Sequence, residues 1–111
     1  MMHDFEQCQK ELDRCLWMLG HSTAQEGHAH AIQGLRRAYW HIRPYTRQPD
    51  DDQPFGQLGS KRMTHRNWAT GRWKALELVQ LALTDLHTID NTRPGCCNEL
   101  AHLIYRAYET L

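Results

Sequence analysis

The chain has 111 residues, with 13 Lys and Arg against 13 Asp and Glu, eight His, four Cys and four Trp. That length fits one small domain, residues 1–111, and excludes a multidomain enzyme. A composition that is 41% hydrophobic and 23% charged is globular, zero net charge argues against a wholesale nucleic-acid binder, and no apolar run reaches the roughly 18 residues of a membrane span.

The first residues, Met-Met-His-Asp-Phe-Glu, lack the basic, apolar and small-residue order of a secretory signal, so the expectation is a soluble cytoplasmic protein. Phe5, Cys8, Leu12, Cys15 and Leu19 then recur at steps of three and four, which places them on one face of a first helix. Gly20 is its natural stop. Ser22 with Gln25, or Thr23 with Glu26, satisfies a capping box that starts a second helix running from about Thr23 to Ile42. Its apolar positions Ala24, Ala31, Leu35, Ala38 and Ile42 are widened by Ile32 and Tyr39, and Pro44 ends it.

Residues 43–63 hold three prolines, three consecutive aspartates and two glycines without a sustained period, so a long loop is predicted. A third helix opens near Thr64 or Asn67 and reaches about Asp90, with apolar positions from Trp68 to Ile89 over about half its circumference. Asn91-Thr92-Arg93 forms a turn, Pro94 suits a first helical position, and Cys97, Leu100, Leu103, Ile104, Ala107 and Leu111 mark a fourth helix. With no strand pattern, the expected fold is all-α: a compact four-helix arrangement of two antiparallel hairpins, with the long loop between helices two and three.

The charges are segregated along the chain: residues 36–74 carry nine bases and three acids, net +6, and each flank is −3. In an up-down order the end of helix two and the start of helix three share one pole, and the basic segment gathers there.

Chemistry-bearing residues give little catalytic signal. Cys8 and Cys15 lie on a core stripe, and Cys96-Cys97 is a vicinal pair at a helix start; neither has zinc-motif spacing. They read as reduced, small apolar residues, although Cys96 or Cys97 beside a helix N-terminus could serve a redox role. His28 and His30 face different sides of a helix, no metal-binding His pair occurs, and His28 reads as a hydrogen-bonded interior or interface residue. Arg36/His41 and Arg14/His21 fit a loose ribonuclease spacing, but about two such matches are expected by chance. No catalytic residue, metal or cofactor is therefore expected.

Two binding readings remain. Lys61, Arg62, Arg66, Arg72 and Lys74 interleave with Trp68 and Trp73, the mixture that neutralises phosphates and stacks on bases, so a nucleotide or nucleic acid at the basic pole is the alternative. The favoured reading rests on tryptophans lying off the apolar seams: Trp17 and Trp40 at about 140° from their stripe centres, Trp73 at about 120°. Either neighbouring helices bury them or they serve a protein interface. Gly27, Ala31, Gly34 and Ala38 would let another helix approach closely, in a dimer or in a hairpin. The helix-two face with Ile32, Leu35, Tyr39 and Trp40, flanked by Arg36 and Arg43, is the expected docking surface for a partner's apolar groove.

In length, four expected helices, neutral charge and abundance of Arg, His and Trp, the chain resembles the small helical anti-activators of bacterial quorum sensing. The resemblance lies in general character and transfers no residue's role. It implies a homodimer that inhibits a transcription regulator of the LuxR type by occupying its dimerisation surface, without touching DNA.

Overall fold

Hydrophobic periodicity becomes helix wherever the structure, a computed structural model, can be described: residues 2–22, 24–46, 65–89 and 96–111, with backbone alone at 2, 24, 25 and 65–67. The helices are α1 (Met2–His21), α2 (Ala24–Ile42), α3 (His65–Thr88) and α4 (Asn98–Thr110), and a single 3-10 turn, Arg43–Tyr45, follows α2. The protein is all-α. The expected loop over residues 43–63 falls mostly on residues outside the described set, as does Pro94.

Each stripe is buried as its spacing requires. Cys8, Leu12, Cys15 and Leu19 of α1 meet Ala31, Leu35, Ala38 and Ile42 of α2, all without solvent exposure. The small-residue stripe of α2 serves this contact within the chain. A Cβ on Gly34 would lie 3.4 Å from both the Cys15 Cβ and the Glu11 carbonyl oxygen, and the Cys15 thiol points to the Ala31 carbonyl oxygen at 3.6 Å. Helix boundaries differ slightly from expectation. Helix α1 continues through Gly20 to His21. The Ser22 hydroxyl donates to the Met18 sulfur at 3.0 Å, turning back onto α1.

The pairing of the ends corrects the expected layout. Helix α1 packs on α2 and α3, and α4 packs on α3 and α2, so the four form a square whose adjacent members are antiparallel. At one pole α1 begins, α2 ends and α4 begins: the Tyr45 hydroxyl donates to Asp4, and the Cys97 N–H donates to the Tyr45 carbonyl at 3.3 Å. At the opposite pole α3 begins. A Cβ on Gly27 of α2 would meet the Trp68 ring at 2.6 Å, and Gly71 abuts Thr110 at the end of α4. Arg72 bonds the Leu19 carbonyl at the end of α1.

Helices α2 and α3 are thus parallel and diagonal, and the end of one and the start of the other lie at opposite poles. The basic segment does not gather at one pole, because its two described ends are separated by the length of the bundle. Short links do make α1/α2 and α3/α4 antiparallel, but an 18-residue separation between Thr46 and His65 is long enough to join opposite ends of a small bundle.

Candidate protein-interaction surface

The six residues expected on the helix-two docking face divide into two groups. Ile32 (4% exposed), Leu35 (0%) and Tyr39 (5%) belong to the chain's own core. They correct the expectation: the stripe that looked available to a partner is consumed by the bundle, because a helix in a four-helix square covers a wide apolar arc. Arg36, Trp40 and Arg43 lie on the exposed side, with Trp40 65% exposed.

What surrounds Trp40 is a built surface. The Arg43 guanidinium lies 5.6 Å from the Trp40 ring centroid, an exposed cation–π contact of about 0.5–1 kcal/mol that orders both side chains. Pro44 sits in the middle of the 3-10 turn, after Arg43. That turn delivers Tyr45 to α1, where its hydroxyl donates to the Asp4 carboxylate at 2.6 Å and its ring tilts against Phe5 at 5.0 Å. The hydrogen bond to Asp4, aided by desolvation, pushes the Tyr45 hydroxyl up to about 12. Between these elements opens a groove of about 380 Å³ lined by Asp4, Trp40, His41, Arg43 and Pro44, within the size range of small-molecule or side-chain pockets. Sequence spacing missed Asp4, His41 and Pro44. The Tyr45–Asp4 contact spans 41 positions, and no local pattern announces it.

The other off-seam tryptophans are also exposed, Trp17 at 55% and Trp73 at 58%. Neighbouring helices of the bundle do not bury them. Trp17 stacks on His21 at 5.0 Å. Trp73 receives the Arg72 guanidinium at 4.6 Å from its centroid, and the same group lies 5.1 Å from the buried Trp68 ring.

Of the alternative anion-binding set, only Arg72 and Lys74 have side chains among the described residues. Lys61 and Arg62 lie outside the described residues, and of Arg66 only the backbone is described. Arg72 donates Nε to the Leu19 carbonyl at 2.9 Å, which neutralises the negative end of α1. Lys74 pairs with Glu77 at 3.6 Å on an exposed helix face.

Two buried side-chain atoms, Glu11 Oε2 and Trp68 Nε1, have no hydrogen-bond partner among the described residues, whereas the buried histidine has one. His28, 2% exposed, places Nε2 3.0 Å from the Leu111 carbonyl oxygen and sets its ring edge-on to Trp68 at 6.2 Å, matching its expected interior role. All four cysteines are free thiols. Burial, helped by the Glu11 carboxylate, pushes Cys8 and Cys15 up to about 12, so both remain protonated and unreactive near neutrality. Burial and the neighbouring Cys96 push the Cys97 thiol up as well. Among the described residues no group of three His, Cys, Asp or Glu could hold a metal ion, and no helix is long and apolar enough to cross a membrane.

The fold and surface together describe an all-α four-helix bundle with, at one pole, a mainly apolar groove edged by Asp4 and Arg43. No protein-family model matches the chain, no curated protein matches its sequence, and no solved structure matches its fold.

Proposed function

We propose that this protein is a non-enzymatic, protein-binding regulator that docks through the groove at the end of α2. The observation that supports this reading is Trp40, 65% exposed, held against Arg43 at the lip of an apolar groove. Tryptophan and arginine concentrate binding energy at protein interfaces, and covering a half-exposed indole releases apolar surface from water. From Gly27 to Ile42 the sequence has Arg36 and Arg37 and no acid, with Arg43 following. The complementary partner is an amphipathic helix that places an apolar side chain in the groove and carboxylates opposite the arginines. Following the resemblance to anti-activators, the proposed target is a transcription regulator, possessing a dimerisation surface that the bundle occupies; the proposed free state is a homodimer.

The test compares wild type with Trp40→Ala and Arg43→Ala for binding to a purified LuxR-type regulator, with mass by light scattering and helicity by circular dichroism. Trp40→Ala should weaken binding by about 2 kcal/mol, roughly 30-fold, while helicity persists. Undiminished binding by Trp40→Ala, or no binding by wild type, refutes the reading.

A further inference from the structure

At the same pole, but independent of the docking reading, two sulfur atoms meet. Cys96 and Cys97 place Sγ atoms 3.9 Å apart, Cys96 partly exposed and Cys97 fully buried. The backbone of the pair is fixed from two sides. The Cys97 N–H donates to the Tyr45 carbonyl at 3.3 Å, and the Cys97 carbonyl accepts from the Ala101 N–H at 2.8 Å in the first turn of α4.

This geometry disfavours a disulfide. Adjacent residues hold their Cα atoms about 3.8 Å apart, below the roughly 4.4–6.8 Å that an unstrained disulfide spans. A larger bridging atom fits better. One that bonds each sulfur at about 2.3 Å, with an angle of roughly 90–110° at the bridge, separates its two sulfurs by about 3.3–3.8 Å. Small side-chain rotations close the remaining gap. A metal ion would call for further protein ligands, and among the described residues no group of three His, Cys, Asp or Glu could supply them. The matching guest is thiophilic, needs only two protein sulfurs and carries its own third ligand.

We propose that Cys96 and Cys97 form a two-thiol chelating site for trivalent arsenicals. With an arsenic(III) oxide, two S–As bonds form as the bond from arsenic to oxygen breaks. The two thiol protons leave with that oxygen as one water, and arsenic stays trivalent, so nothing is oxidised or reduced. Cys96 provides the entry, since its sulfur is the partly exposed member.

The probe is phenylarsine oxide, titrated into the reduced full-length protein. One equivalent should bind and remove two of the four thiols from a thiol assay in denaturant. Excess monothiol should not reverse the adduct, whereas a small dithiol should. Peptide mapping should place the arsenic on Cys96 and Cys97, and Cys96→Ser, folded by circular dichroism, should bind at least tenfold more weakly. Four thiols remaining in wild type, arsenic mapped to Cys8 or Cys15, or undiminished binding by folded Cys96→Ser overturns the assignment. Because Trp40→Ala leaves both thiols in place, it should chelate normally, which separates this site from the docking surface.

Discussion

Gly71 is the position at which the arrangement of poles is most exposed to experiment. Helix α3 approaches the end of α4 so closely there that a Cβ would press on the Thr110 carbonyl carbon and Cγ2, both at 3.1 Å, and overlap the Thr110 carbonyl oxygen. A backbone carbonyl cannot rotate away as a flexible side chain can, so Gly71→Ala must push the two helices apart. Overpacking of this kind costs about 1–3 kcal/mol, and contact with backbone belongs at the upper end. Alanine regains about 1 kcal/mol of helix propensity, leaving a net loss of about 2 kcal/mol. At about 2.1 cal/mol/K per residue, a chain of this length has an unfolding entropy near 0.23 kcal/mol/K, so Tm should fall by about 9 °C. Gly20→Ala is the internal comparison. Its Cβ would meet Leu76 Cδ1 at an ordinary 3.6 Å, so Tm should rise by about 2–4 °C. Calorimetric melts measure both. A Gly71→Ala protein that melts at or above wild type would show that the start of α3 does not lie against the end of α4.

Three further outcomes follow from burial and protonation. The Cys8 and Cys15 thiols, ordinarily at 9.0, are held up at about 12, and Tyr45 rises from 10.0 to about 12. Raised values favour the protonated forms in the folded state, so this stabilisation is complete below pH 9 and drains as pH climbs towards 12. Melts across that window should show a falling Tm that Cys15→Ala makes shallower; a Tm constant to pH 12 would contradict it. Ile32→Arg places an unpaired charge at a position only 4% exposed and should abolish cooperative folding by circular dichroism; a well-folded variant would remove Ile32 from the core. His28→Ala loses a buried hydrogen bond to Leu111 and leaves a cavity, costing about 2–4 kcal/mol in urea unfolding. Exposed His30→Ala should stay within about 0.5 kcal/mol of wild type, and equal effects at the two positions would refute the assigned role of His28.

Helical period carried most of the fold. The spacing of Cys8, Leu12, Cys15 and Leu19 predicts a buried stripe, and all four are buried. Period identifies an apolar face without saying what covers it, which is why Ile32, Leu35 and Tyr39 could be assigned to a partner when the bundle itself covers them. Wheel angle was informative in the opposite sense: Trp17, Trp40 and Trp73 lie off their seams and are all more than half exposed. The direction of α3 was not legible. It rests on Gly27 against Trp68 and Gly71 against Thr110, contacts between residues far apart in sequence that only three-dimensional packing brings together. The Asp4–Tyr45 bond that builds the groove is hidden for the same reason.

Separating the two poles also separates two uses of one residue pair. Arg72 is half-buried, with its guanidinium near the Trp68 and Trp73 rings of its own helix, and it gives Nε to the Leu19 carbonyl, so that hydrogen bond ties α3 to the end of α1. Arg43 and Trp40 make the same ring contact at 5.6 Å, but both side chains are exposed and border a groove. Composition cannot tell these apart, since each is an arginine within a few residues of a tryptophan. The difference lies in what else the guanidinium does: at the second pole Arg72 also bonds the end of α1, and at the first Arg43 borders a groove open to solvent. Removing Arg72 would therefore loosen the fold, whereas removing Arg43 alters a surface that the fold does not need. That asymmetry supports placing the proposed docking at the pole of Trp40 and not at the more tryptophan-rich pole opposite.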